Sequence, residues 1–274
     1  MENDPKSRRK VGIPTRASGK PFKKAERDTS WGKVAGWYGE HLQKDDTYHA
    51  KVILPNLVRM AGIKKGERVL DLGCGEGFFA RELAKNGAQV VGTDIAKELI
   101  AQARAKGGAE YFVAPSNKLG FAKDGEFDAV VCVLALQNIE DAAGTFKEVR
   151  RILAKGGRFI FVINHPAFRV LKRSSWGWDD AATAQYRRVD GYLSSAKIFV
   201  DMHPGASKTT RTISYHRSLQ DFFKALNGAG FAVSRLEEWV SHRESGKGPR
   251  QAAEDAARKE IPLFMALEAR VREK

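Results

Sequence analysis

The chain has 274 residues, 42% of them hydrophobic, enough for one substantial core or a core with a cap, but not two full domains. Its net charge of +14 brings nucleic acid into consideration as a partner, and no apolar run reaches the ~18 residues of a membrane span. Cys74 and Cys132 show no metal or CxxC spacing, and the first 30 residues lack an apolar leader segment, so the expectation is a reduced, cytoplasmic protein. Residues 1–27 hold nine Lys/Arg, three Asp/Glu and three prolines among few apolar residues. They read as a basic, disordered tail, with a nucleic-acid-tethering arm as the sharper alternative.

Trp31, Val34, Ala35, Tyr38 and Leu42 recur at helical spacing and predict an amphipathic helix. Residues 47–62 predict a second helical segment, interrupted at Pro55 and closed by Gly62. From Arg68 onward strands and helices alternate. Strands are expected in "RVLDLG", "AQVVGTD", "AEYFVA", "FDAVVCVLAL" and "RFIFVIN". The intervening helices cover 78–86, then Leu99, Ile100 and Ala103, then Phe146 to Leu153 with an end at Gly156–Gly157. Repeated βα units predict a doubly wound parallel sheet with its ligand at the carboxyl ends of the strands.

After Asn164 the pattern breaks. Residues 165–191 read as irregular and rich in Trp, Arg and Asp, and "YLSSAKIFVDMHP" and "KTTRTISYHR" as an antiparallel pair. Ser218 and Asp221 have capping-box spacing at the head of a helix that turns Phe222, Phe223 and Leu226 inward and ends at Gly228. "AVSRLEEWV" and "IPLFMALEAR" are the last two strands, joined by a polar loop over 241–260.

The stretch "VLDLGCGEGFFAREL" carries the first chemical signal. Glycines fall at 73, 75 and 77, and Phe78 stands where a dinucleotide fingerprint needs its third glycine. No G-K-[ST] follows, so a phosphate loop is excluded. Asp71, two residues ahead of the first glycine, would repel a phosphate and suits a ligand that is cationic there. Asp94 ends the second strand 17 residues after Gly77, where an acid can accept both hydroxyls of a ribose.

The string D-L-G-C-G-E-G resembles motif I of class I S-adenosylmethionine-dependent methyltransferases, in particular the type 11 group, and the resemblance runs over about residues 30 to 240. It implies that Gly73 and Gly75 let the backbone approach the methionine part of S-adenosylmethionine while Asp71 helps hold its ammonium group. Asp94 would take the ribose and Ile95 would pack on adenine. "APSNKLGF" departs from the family's usual acidic pattern, leaving Ser116 or the Asn117 amide for the adenine edge. Leu134 matches a position that lines the cofactor. Tyr38 and His49 resemble lid residues, with amphipathic packing as the other reading. The fold implied is a Rossmann-like α/β sheet of seven mostly parallel strands in the order 3-2-1-4-5-7-6, strand 7 antiparallel. The methyltransferase domain would cover 28–274, with an N-terminal helical lid over 28–65 and a cap insertion over 165–217.

Methyl transfer from a sulfonium is an in-line displacement that depends chiefly on alignment in a dry pocket, and a base is needed only for a neutral hydroxyl or protonated amine. His165, just past the fifth strand, is the candidate base, with a hydrogen-bonded structural residue as the alternative. The fourth strand carries no [DNS]-P-P-[YFW], and neither cysteine is placed to attack a cytosine, which disfavours two nucleic-acid chemistries. The insertion interleaves Trp176, Trp178, Tyr186 and Tyr192 with Arg169, Lys172, Arg173, Arg187 and Arg188, a composition suited to a planar or anionic small acceptor. The expected function is transfer of a methyl group to O, N or C of a small molecule, with S-adenosylhomocysteine as product. The alternatives are an RNA methyltransferase that uses its basic tail and a non-catalytic cofactor-binding module. The six scattered histidines predict no metal site.

Overall fold

A computed structural model of the protein describes residues 31–32, 46–202 and 211–272. The basic tail and most of the first expected helix, Tyr38 included, lie outside the described residues. The chain enters through a π-helical turn, His49–Ile53, that runs into α1 (Leu54–Ala61). Pro55 sits in the first turn of α1, where its missing N–H costs nothing, and Gly62 closes the helix in the left-handed region. The interruption expected at Pro55 is therefore the junction between the two helix types.

β1 (Arg68–Leu72), α2 (Phe78–Lys85), β2 (Gln89–Asp94), α3 (Lys97–Lys106) and β3 (Glu110–Val113) form the first half of the sheet. β4 (Phe127–Val133), α4 (Ala142–Ile152) and β5 (Leu153–Asn164) continue it. Two corrections fall here. The fourth strand stops at Val133 because Leu134 turns to φ +52°. The helix ends at Ile152 rather than at the glycines: Leu153 already pairs with Phe127, and the ladder slips before Arg158 meets Ala129. Gly156, at φ +77°, takes up that slip inside the strand.

The seven strands lie in the order β10-β11-β5-β4-β1-β2-β3, with β10 (Phe231–Trp239) and β11 (Phe264–Val271). β11 runs antiparallel to both β5 and β10, while the pairs from β5 to β3 are parallel. This is the order expected from the sequence, the sixth and seventh sheet strands being the tenth and eleventh in the chain. Side-chain alternation puts a core on each face of the sheet. Phe159 and Phe161 point to one face with Phe146 of α4, whereas Ile160 and Val162 join Leu57, Leu83 and Ile100 on the other. All are essentially inaccessible, and each such side chain contributes about 1.5–3 kcal/mol.

Between β5 and the next helix the insertion makes two antiparallel pairs. β8 (Ala196–Asp201) with β9 (Arg211–His216) is the expected pair. The stretch read as irregular holds a hairpin, β6 (Ser174–Asp179) and β7 (Ala184–Val189). α5 (Leu219–Gly228) starts with the reciprocal Ser218–Asp221 capping box and buries Phe222 and Leu226, but Phe223 is exposed and faces solvent. The loop expected over 241–260 contains α6 (Gln251–Glu260), a helix that buries only Ala257.

Candidate functional site

The sheet reverses its winding between β1 and β4, and a cavity of about 350 Å³ opens there at the carboxyl ends of the strands. Its size falls in the ordinary range for small-ligand sites. Gly73, Gly75 and Gly77 take φ +74°, +56° and +83°, a left-handed series that L side chains resist. The turn is pinned to the next strand: Gly73 N–H and Cys74 N–H both donate to the Thr93 carbonyl, at 2.7 and 2.9 Å. A Cβ at Gly77 would lie 2.5 Å from the Tyr111 hydroxyl, so the third glycine serves packing behind the loop.

Asp94 closes the turn from the second strand. Its Oδ2 accepts from Gly75 N–H at 3.1 Å and its Oδ1 from Ala96 N–H at 2.8 Å. Each oxygen keeps a lone pair for a further donor. Burial raises the carboxyl pKa, and the N–H donors of Ala96, Gly75 and Ile95 pull against it. Beside it Ile95 is an exposed large apolar side chain in the cavity wall.

Asp71, expected to help hold the ammonium group, lies outside the cavity lining. It is 1% exposed, lies beneath the turn rather than in the cavity wall, and accepts from the Ala80 N–H in the first turn of α2. Burial pushes its carboxyl up to about 7, the Ala80 N–H opposes this, and the neighbouring Asp94 charge adds to the rise. Its Oδ2 has no hydrogen-bond partner. An orphaned carboxylate oxygen under a turn already flanked by a second carboxylate fits a cation above it and disfavours an anion.

Ser116 and Asn117 also line the cavity. The Ser116 hydroxyl shares a 2.8 Å hydrogen bond with the Thr145 hydroxyl, and the Asn117 amide donates to Asp141 Oδ2 at 2.8 Å. Asp141 in turn caps α4 by accepting from Gly144 N–H, and the Asn117 amide leads the groups that lower its pKa. Leu134 borders the cavity in its left-handed conformation, its N–H held by the Val162 carbonyl at 2.7 Å. His49 reaches the wall with its ring edge-on to Phe78.

His165 stands apart from the cavity wall. It is 2% exposed, and both ring nitrogens are engaged. Nδ1 accepts from the N–H groups of Ala167 and Phe168, which leaves Nε2 to donate to Glu238 at 2.7 Å. Burial lowers its pKa against the pull of Glu238. A ring held as this neutral tautomer, away from the cavity, caps the turn that follows β5 instead of facing an acceptor.

Several wall residues were not assigned to the site from the sequence: Trp31, read as part of a helix face, Cys74, Asn138, Asp141 and Tyr215. Asp141 carried a signal, an acid just ahead of an amphipathic helix. Tyr215 carried none, because only the insertion's path brings β9 to the sheet. Among the described residues no group of three or more His, Cys, Asp or Glu could hold a metal ion, and no helix is long and apolar enough to cross a membrane.

A fold with this strand order, a glycine turn after β1 and an acid ending β2 is shared with known proteins. The type 11 methyltransferase-domain family matches residues 70–161. An S-adenosylmethionine-dependent methyltransferase structure from Mesorhizobium loti superimposes with a TM-score of 0.65 at 30% identity, over 82% of this chain and 99% of that one. The chain belongs to the S-adenosylmethionine-dependent methyltransferases. Among curated relatives, a ubiquinone biosynthesis O-methyltransferase from Xylella fastidiosa is 29% identical over 151 residues, 53% of this chain and 61% of its own. One of the same name from Bordetella parapertussis is 36% identical over 106 residues, 37% of this chain and 44% of its own. The chain thus spans about half the length of the curated relatives it matches.

Proposed function

We propose that the protein transfers the methyl group of S-adenosylmethionine to a small-molecule acceptor and releases S-adenosylhomocysteine. The observation that carries this reading is the cavity at the reversal of the sheet, with carboxylates at its base and an apolar shelf beside Asp94. The bound cofactor supplies an electrophilic methyl on a sulfonium. The chain's own residues orient and enclose it. Gly73 and Gly75 allow close backbone approach, and Asp71 sets a negative field beneath the turn that favours the ammonium end. Asp94 offers its remaining lone pairs to the ribose hydroxyls, Ile95 and Leu99 supply the apolar shelf, and Ser116 and Asn117 border the adenine edge.

The acceptor enters past Asn138 and Tyr215, the side on which the insertion closes the cavity. Catalysis rests on alignment and water exclusion rather than on His165, whose protons are committed elsewhere. A small acceptor is supported by the enclosure of the cavity and by the O-methyltransferase relatives.

Isothermal titration with S-adenosylmethionine tests the cofactor assignment. Wild type binds one equivalent, and Asp94→Ala loses at least about ten-fold in affinity, the least expected on removing a charged hydrogen-bonding partner. Asp94→Asn keeps one acceptor for the turn and controls for its collapse. Equal affinity in all three proteins contradicts the assignment.

A further inference from the structure

The β6–β7 hairpin carries a cationic cluster on one indole. The guanidinium groups of Arg169 and Arg187 lie over the Trp176 ring, 5.3 and 5.2 Å from its centroid. Arg187 donates to the Phe168 carbonyl and the Ser174 hydroxyl. The Arg169 guanidinium donates to none of the described residues, and its Nε is fully buried without a partner. No carboxylate among the described residues lies within ion-pair distance of Arg169, Arg187 or Lys172. A half-buried guanidinium whose buried Nε–H has no acceptor is a costly arrangement. Burial, with the Arg187 charge, brings the Arg169 pKa down to about 10. Arg169, Arg187 and Lys172 wall a cavity of about 230 Å³, completed by Asn164, Val170, Leu171 and Ser174.

Two further observations indicate a built site. Lys172 holds φ +58° in the cavity wall, one of three non-glycine residues in the left-handed region among those described, and Leu134 of the cofactor cleft is another. The cavity also lies toward the cleft: Asn164 and Arg169 border both it and a neighbouring cavity of about 30 Å³, and Tyr215 borders both that cavity and the cleft. His165 acquires a purpose in this geometry. By capping the turn 166–169 it fixes the backbone of Arg169, whose N–H returns to the His165 carbonyl at 2.8 Å.

We infer that Arg169, Arg187 and Lys172 form a subsite for an oxyanion, carboxylate or phosphate, carried by the methyl acceptor, with Val170 and Leu171 as its apolar wall and Trp176 holding the two guanidinium groups. The reacting atom then lies at the Tyr215 end and the anion at the Arg169 end. This rests on the acceptor reading above and narrows it to acidic small molecules.

The test has two readouts. In chloride-poor buffer the full-length protein is titrated with benzoate, with inorganic phosphate and, as neutral counterpart, with benzamide. At least one of the two anions binds and benzamide does not. Arg169→Gln weakens the anion about ten-fold or more, Arg169→Lys weakens it less, and both keep wild-type affinity for S-adenosylmethionine. Preference for benzoate or for phosphate identifies the oxyanion. Failure of both anions to bind, or equal binding by Arg169→Gln, overturns the subsite. Then a small-metabolite extract, split on an anion-exchange resin, is incubated with methyl-labelled cofactor. Label enters the retained fraction; label confined to the flow-through overturns the link to the acceptor. Label in neither fraction counts against methyl transfer itself, while the titration still reads the subsite.

Discussion

Asp71 serves the fold and, in the proposed reading, the cofactor as well. It satisfies the Ala80 N–H at the head of α2, yet its second oxygen has no partner and its pKa is raised from 3.8 to about 7. The sign follows from linkage. A carboxyl whose folded pKa exceeds its unfolded value favours the fold most below the unfolded value, and that contribution is lost as pH climbs through the folded one. The unliganded protein therefore loses stability between about pH 4 and pH 7, by roughly 4 kcal/mol at most. Asp71→Asn keeps an acceptor for Ala80 and cannot ionise. Its melting temperature is expected to exceed wild type clearly at pH 8 and to approach it near pH 4; an equal difference at both pH values contradicts the assignment. Sequence made Asp71 conspicuous through its offset from the glycines but could not place it under the turn. For His165 residue type alone misled: the two N–H groups that fix its tautomer come from a turn that only the folded chain forms.

At the scale of elements, legibility followed burial. The sheet strands and the helices packed on them announced themselves because each buries an apolar face, and α5 also showed its cap in Ser218 and Asp221. Ser218→Ala removes the hydroxyl half of that box, leaving its backbone N–H to Asp221, and should cost about 1 kcal/mol, read as a lower denaturation midpoint with unchanged slope. An unchanged midpoint would mean that packing of Phe222 and Leu226 alone sets the start of the helix. The two elements that escaped notice lack such a face. The β6–β7 hairpin is held by two arginines over Trp176 rather than by an apolar alternation, and α6 buries one alanine. Arg250 of the α6 boundary packs over Trp178 at 4.4 Å, so hairpin and helix are partners whose contact is cationic and aromatic. Hydrophobic periodicity does not register such a contact.

Across the whole molecule, the chemistry of the cofactor end and that of the proposed acceptor end come from different parts of the chain. The cofactor end is built from consecutive βα units, so its residues fall at short, fixed offsets from the glycine turn and could be read in line. The proposed acceptor end draws on β4, β5 and the insertion, and its residues meet only through the strand order that brings β5 beside β4. Composition gave the insertion its aromatic and cationic character, but not the arrangement in which two arginines share one indole with no carboxylate between them. The most direct measurement incubates the full chain with methyl-labelled S-adenosylmethionine and separate small-metabolite and RNA fractions. Label is predicted to move to the small-molecule fraction with wild type and to fall to background with Asp94→Ala. Label in the RNA fraction alone, or in neither, contradicts the account.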